Sequence, residues 1–326
     1  MLPRRLAPLT LIPMLTMLTV SACDSTTLAM SAGERHAAIA QLASQVDAHY
    51  VDPAAGTRVA ALLRARERSG AYNDLFDDTA LAEHLSHDLL EASGDARLRV
   101  DPVAQAPWWR PLHDDAGIDY ERIGADIGYI AVRAFMPPAR SARRYARAFS
   151  KLAGANSIIV DLRENRGGDA DGLQLLASYV VDRPIHYANL AHRGGRVEAR
   201  WAFPQLAALP YLGQLTILVG PRTSAEAENF AFAMQGWRRA NVIGTRSAGV
   251  ATSTRSYALT DRLVASIAEA RATLPLTGAS WSGGVIPDVA SADALKEAKR
   301  RILLDRLAHV TTPMGRSALL AMLAEL

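Results

Sequence analysis

The spacing of apolar residues in the first third of the chain is helical. Between residues 32 and 95, apolar positions recur every three or four residues, as at Ile39, Leu42 and Val46. Three such stretches follow one another, and Gly94 comes after the third, as glycine often does at a helix C-terminus. The pattern therefore predicts a small N-terminal domain of three helices over residues 32–95.

Beyond residue 115 the pattern changes, because short apolar runs alternate with helical stretches. The runs are IGYIAVRAF, SIIVDLR, LTILVG and NVIGT, and helical spacing follows each of the first three. This alternation is typical of βαβ units with parallel strands. SYALT and LVASIAEARA predict further strands, and residues 291–305 predict a final helix. We expect an α/β domain over residues 115–326, joined to the helices by a linker at 96–114.

The N-terminal segment has the composition of an export signal. MLPRR is basic, and the apolar run that follows is short and interrupted by prolines, which favours a signal peptide over a membrane-spanning helix. Residues 1–22 are therefore expected to be removed, with a short tether at 23–31.

The four residues VSAC, which end at Cys23, resemble a bacterial lipobox, in which the cysteine is lipidated. The alternative is an ordinary signal peptide with a chance cysteine at this position. The lipobox implies a protein held by a lipid anchor in the bacterial cell envelope, on the periplasmic side of the membrane.

The charge balance excludes a basic surface for nucleic acid, and the cysteine content excludes a disulfide. The chain has 36 Lys and Arg against 33 Asp and Glu, and residues 1–22 hold two of the basic residues and none of the acidic ones. The remainder is close to neutral, so no basic surface for nucleic acid is expected. Cys23 is the single cysteine, so a disulfide within the chain is impossible.

Two strand-to-helix turns carry the candidate chemistry. In SIIVDLRENRGGDADGL an apolar strand leads into Gly167 and Gly168, and paired glycines let backbone N–H groups approach an anion. Isolated Gly-Gly pairs are more often structural turns. In GPRTSAEAENFAFAMQ the second turn, of a kind that presents nucleophiles, offers Ser224, Ala225 and Glu226.

These stretches resemble the tail-specific (C-terminal processing) serine peptidases, in particular their branch without a PDZ domain, which includes retinoid-binding-protein-like and tricorn-like members. The DLR-N-GG turn, the nucleophile turn, NVIGTRSAG and WSGGVIPDV occur in the family's order, and the helical N-terminal domain matches that branch. The resemblance implies an α/β core of the crotonase and Clp-protease type. It implies no cofactor.

The family's nucleophile turn reads Thr-x-Ser-x-x-Glu. Aligning Thr223 and Glu228 with this motif puts Ala225 at the serine position, while Ser224 falls one residue early. The ordinary role for Ser224 would be a helix N-cap.

The other reactive positions of the family are replaced as well. In SGDARLRV, Arg97 stands where the tricorn-like branch carries its base histidine, and arginine cannot accept a proton. The turn RSAGVATS holds no lysine, which is the base of the classical members, and Ser282 stands where a supporting glutamate is expected. The backbone groups of Gly167, Gly168 and Glu226 would survive as an oxyanion-type pocket.

Two functions of different class follow. The first is a catalytically inactive homologue that binds a peptide or protein C-terminal segment, with Arg97 near Ala225 and holding the carboxylate by two hydrogen bonds. The second is an active serine endopeptidase that uses Ser224 with a rearranged base. A third candidate, a retinoid-like lipid carrier, rests only on the branch's name.

His84 and His87 share a predicted helix but lack a third ligand, so no metal is expected.

Overall fold

The protein is described by a computed structural model over residues 29–103, 117–123, 126–207 and 209–326. The expected signal peptide, Cys23, and most of the expected tether and linker lie outside these residues. Within the described ranges, no helix combines the length and the apolar character needed to cross a membrane.

The helices and strands alternate in the order that the apolar pattern predicts for most of the chain. The helices are α1 (Ala32–His49), α2 (Pro53–Arg68), α3 (Asp78–Ser93), α4 (Pro138–Lys151), α5 (Ala170–Ser178), α6 (Glu226–Gly236), α7 (Ala294–His309) and α8 (Pro313–Ala324). The strands are β1 (Arg99–Pro102), β2 (Ile118–Ile123), β3 (Ile127–Val132), β4 (Ser157–Asp161), β5 (Ile185–His192), β6 (Val197–Ala202), β7 (Gln214–Val219), β8 (Asn241–Gly244), β9 (Thr252–Ala258), β10 (Leu263–Thr273) and β11 (Val289–Ala290). Two short 3-10 helices span Arg193–Gly195 and Pro204–Leu206.

The predicted parallel core is a six-stranded sheet in the order β11-β8-β7-β4-β3-β2. Its strands run parallel except for β2, which pairs antiparallel with β3. Successive residues of a strand point to opposite faces, so Ile158 and Val160 of β4 join the core on the side of α4, α5 and α6. Ile159 joins the smaller cluster formed with α7 on the other face.

The sequence did not predict a second sheet, which is antiparallel and contains β1, β5, β6, β9 and β10. The long strand β10 is its centre and pairs with β1, β5 and β9. β1 lies inside the segment expected to be a linker. Polar and charged residues along β5 and β6 conceal the strand pattern, because β6 is an exposed edge strand.

The three helices pack on this second sheet. Their apolar residues share one core with β10, as in the cluster of Leu42 and Leu85 with Ala265 and Ile267. The tether expected at 23–31 also ends earlier than the sequence indicated. Met30 is only 1% exposed because its apolar side chain belongs to the same core.

The parallel sheet brings the two candidate turns together. β4 ends at Asp161 and leads to the glycine pair, and its neighbour β7 ends at Val219 and leads to α6. Since both strands are parallel, both turns emerge at the same edge of the sheet, the usual place for a site in an open α/β sheet.

Candidate functional site

The turn before α6 has an unusual backbone. Ala225 has φ 52° and ψ −119°, and α6 starts at the next residue. Ala225 and Arg238 are the two non-glycine residues with positive φ in the described parts of the chain. Such conformations cost energy and persist where the surrounding structure enforces them. The strained residue is therefore the one that the family motif aligns with its serine.

Glu228 holds this turn in place. Its buried carboxylate accepts N–H donors from Ala225 at 3.0 Å and from Gly249 and Val250 at 2.6 Å each. The hydroxyl of Ser247 donates to it as well. Burial raises the pKa of Glu228, and these four hydrogen bonds act in the opposite direction. Glu228 thus connects the 247–250 loop to the turn, a role that the sequence motif alone did not indicate.

The glycine pair packs directly against backbone. Phe135 and Gly168 form an isolated parallel bridge, and a Cβ on Gly168 would lie 2.2 Å from the Phe135 carbonyl oxygen. Gly168 also has φ 134°, which excludes other residues. The turn therefore requires glycine here, which supports the structural role of the pair.

Both N–H groups of the glycine pair already have acceptors. The Gly167 N–H donates to Asn165 Oδ1 at 2.8 Å, and the Gly168 N–H donates to Glu226 Oε2 at 3.2 Å. The expected anion-binding turn is thus present, but it is not open. Part of it is filled by a carboxylate of the protein itself.

That carboxylate, Glu226, sits at the start of α6 against the glycine turn. Burial is the main cause that raises its pKa to about 6, while the N–H groups of Glu226 and Gly168 act to lower it. Asp169 raises the pKa further, and Arg200 opposes this effect. The group therefore changes charge near neutral pH.

Ser224 does not have the N-cap role expected for it, because the N-cap residue of α6 is Ala225. The Ser224 N–H donates to the carbonyl of Asn165 at 3.1 Å, and its own carbonyl accepts from the N–H of Ala227. Ser224 is partly exposed and does not line the adjacent cavity, whereas Ala225 does.

A small cavity opens on Ala225 and Glu226. Leu173, Leu190 and Trp281 give it apolar walls, to which Arg200 and Asn229 add polar groups. Since no histidine is among the described residues that line it, an imidazole base is missing from its walls. The cavity suits a small apolar side chain with a polar group beside it.

Arg97 reaches this cavity indirectly. One of its guanidinium nitrogens donates to Thr252 Oγ1, and Thr252 lines the cavity. Two others hold the buried Asp95, with Nε 2.6 Å from Oδ1 and an Nη 3.1 Å from Oδ2. Asp95 thus already takes the two-bonded place on Arg97 that was expected for a ligand carboxylate.

Ser282 is next in sequence to Trp281, which lines the cavity, but Ser282 does not line it. Its neighbour Trp281 is buried, lines the cavity and donates its indole N–H to the Val250 carbonyl at 3.0 Å. Ser282 itself is exposed. Trp281, which the resemblance did not single out, therefore forms part of the cavity wall, whereas Ser282 does not.

A group of possible metal ligands lies elsewhere, on α3. His87, Asp88 and Glu91 bring ligand atoms within 4.8 Å of one another, and His84 is not part of the group. Arg66 forms ion pairs with both carboxylates. One guanidinium therefore neutralises part of the negative charge that would attract a cation.

Two family models match the chain. The model described as peptidase family S41 matches residues 126–291, and the model described as the N-terminal domain of Peptidase_S41 in eukaryotic IRBP matches residues 28–117. The first includes both turns of the site.

Curated relatives match over shorter stretches. A tail-specific protease of Haemophilus influenzae is 32% identical over 106 residues, which cover 32% of this chain and 15% of that protein. A carboxyl-terminal-processing protease of Synechocystis sp. is 27% identical over 176 residues, which cover 53% of this chain and 40% of that protein. The chain thus matches less than half the length of either relative.

Solved structures share the fold at low identity. A lipoprotein from Streptococcus agalactiae has a TM-score of 0.61 at 14% identity, covering 82% of this chain and 94% of that chain. The photosystem II D1 C-terminal processing protease has a TM-score of 0.55 at 15% identity, covering 80% and 94%. The predicted fold, a crotonase and Clp-protease type core with three N-terminal helices, is confirmed.

Proposed function

Because the chain belongs to peptidase family S41, we propose that it binds the C-terminal segment of a peptide or protein at this site and does not cleave it. The observation that carries the proposal is Ala225. This residue has the strained backbone at the head of α6 and faces the cavity, yet it presents a methyl group where the family motif carries a hydroxyl.

The surroundings of Ala225 support the absence of a catalytic base. A serine nucleophile needs a neighbour that accepts its proton. Arg97, at the base position, is a cation paired with Asp95. Ser282, at the position of the supporting glutamate, is exposed and uncharged. Nothing in this set of residues can take a proton from Ser224 and return it to a leaving group.

The remaining features favour binding of a carboxylate. The N–H groups of Gly168 and Glu226 meet at one point, which the Glu226 carboxylate occupies, and a negative charge is favourable there. Arg200 lines the same cavity and supplies a cation. Leu173, Leu190 and Trp281 favour an apolar last side chain.

Binding can be measured with a fluorescein-labelled peptide that ends in Ala-Ala-Leu, compared with the same peptide amidated at its C-terminus. We expect the free carboxylate to bind at least about tenfold more tightly, which corresponds to one good charge-assisted hydrogen bond. Equal binding of the two peptides would contradict a carboxylate site while leaving the fold unaffected.

We further propose export and lipidation at Cys23, on the sequence VSAC alone. The Cys23→Ser variant is expected to lose the lipid and either leave the membrane fraction or retain its signal peptide. Membrane fractionation and the intact mass of the purified protein measure this, with Ser25→Ala as the control. A variant that is processed and fractionates like the wild type would contradict the lipobox.

A further inference from the structure

The carboxylate of Glu226 occupies the place that the proposed function gives to a ligand. Its Oε2 lies 3.2 Å from the Gly168 nitrogen and 2.8 Å from the point where a Cβ on Gly167 would stand. The carboxylate also faces the N–H of its own residue. The pocket therefore already holds the type of group that it is suited to bind.

A second polar group of the cavity has no partner. Asn229 is 8% exposed and lines the cavity, and within the described residues its Oδ1 accepts no hydrogen bond. Buried acceptors are nearly always paired, so this one calls for a donor from outside the chain. A peptide C-terminus carries such a donor, since the N–H of its last residue is close to its carboxylate.

We propose that Glu226 is an internal competitor of the ligand, whose terminal carboxylate takes the place of the Glu226 carboxylate when that side chain turns out of the pocket. The inference rests on the proposed function. The N–H of the ligand's last residue then donates to Asn229 Oδ1, and the last side chain enters the apolar part of the cavity beside Leu173 and Trp281.

Charged and titratable groups face Glu226 from each element around it. Asp169 at the start of α5, Tyr187 of β5 and Arg200 of β6 interact with its carboxylate electrostatically. Behind them, Asp171 and Glu198 pair with Arg200, and His192 pairs with Glu198. Arg97 is bound to Thr252 of β9, and Glu228 on α6 itself is bound to the 247–250 loop. Arg200 is paired with Glu198 and lies 3.5 Å from Asp171. The cation nearest the pocket is therefore balanced by acids, and little positive charge is left for two carboxylates at once.

The position of Glu226 makes ligand binding dependent on pH. Above pH 6 its carboxylate is charged, keeps its hydrogen bond to Gly168 and repels a second anion. Below pH 6 it is neutral, while a peptide C-terminus remains charged because its pKa is about 3.5. Affinity for the ligand should therefore rise as the pH falls through 6, by about tenfold between pH 7.5 and pH 5.

The test measures the fluorescence anisotropy of the Ala-Ala-Leu peptide, as free acid and as amide, on the whole chain at pH 5 and pH 7.5. We expect Glu226→Ala to bind the free acid about tenfold more tightly than the wild type at pH 7.5 and to show no further gain at pH 5. Glu226→Gln keeps an acceptor for Gly168 and should bind at an intermediate level, independent of pH. Glu83→Ala removes an exposed carboxylate of α3 and should behave as the wild type.

The outcomes separate the two proposals. Binding of the free acid that is equal in the wild type and both Glu226 variants, at both pH values, would overturn the competitor role and leave the carboxylate site intact. Binding that ignores the difference between acid and amide, or no binding by any variant, would overturn the proposed function and this inference with it. A pH effect that persists unchanged in Glu226→Ala would assign the titration to another of the facing groups and contradict the inference.

Discussion

Replacing Glu228 with alanine is expected to lower the free energy of unfolding by about 3–5 kcal/mol, because it leaves several buried donors without an acceptor. The carboxylate accepts the N–H groups of Ala225, Gly249 and Val250 and the hydroxyl of Ser247. Glu228 and Ser247 are buried, whereas Ala225, Gly249 and Val250 are partly exposed. Urea denaturation followed by circular dichroism measures the change.

Glu83→Ala is the matched control for this prediction, since it removes the same side chain from an exposed position of α3. Its effect should stay within about 0.5 kcal/mol. Glu228→Gln should fall between the two, because an amide still provides one acceptor oxygen. A loss below about 1 kcal/mol for Glu228→Ala would show that the four hydrogen bonds do not stabilise the turn in the way described.

Replacing Gly168 with alanine is expected to destabilise the fold by about 3–5 kcal/mol, for two additive reasons. Its φ of 134° is unfavourable for any residue with a Cβ, and that Cβ would lie 2.2 Å from the Phe135 carbonyl oxygen. The obstacle is backbone rather than a flexible side chain, so relief requires the bridge between Phe135 and Gly168 to open.

Gly278→Ala separates these two reasons. Gly278 also has a positive φ, 68°, but a Cβ there would meet no atom within 4 Å. This variant should cost only about 1–2 kcal/mol, the cost of a Cβ in the left-handed region without a steric contact. Equal losses for the two variants in thermal or urea denaturation would mean that contact with Phe135 contributes nothing.

The parallel core could be predicted because its elements are locally consistent. β4 and β7 are short apolar runs followed by turn residues, and helical spacing resumes directly after each turn. Such stretches carry their own signal. The resemblance implied that Gly167 and Glu226 share a pocket, and the parallel pairing of β4 with β7 accounts for it.

The second sheet could not be predicted as a whole, although SYALT and LVASIAEARA indicated its strands β9 and β10, because its other strands depend on partners far away in the sequence. β1 has only four residues and pairs with β10, more than 150 residues later. β6 alternates exposed and half-buried positions and includes charged residues, as an edge strand does. Its residue pattern alone resembles that of a loop, and only its pairing with β5 identifies it as a strand.

The hydrogen-bond partners of the site residues also could not be predicted from the sequence. The resemblance identified Arg97, Gly167 and Glu226, but it could not show which groups they bind. In the structure Arg97 is held by Asp95, and the Gly168 N–H is held by Glu226. Asp95 and Glu226 both lie within the stretches SGDARLRV and GPRTSAEAENFAFAMQ, but the motif does not indicate that their carboxylates take these hydrogen bonds.

The most direct test of the central claim, that this site binds and does not cleave, uses a library of unmodified peptides and mass spectrometry. The wild type and Ser224→Ala are incubated with the library at equal concentration, and new peptide ends are counted after a long incubation. The two proteins are expected to give the same result as buffer alone, because Ala225 has no hydroxyl and Arg97, at the family's base position, cannot accept the proton of Ser224. Cleavage by the wild type that disappears in Ser224→Ala would contradict it and establish a serine peptidase.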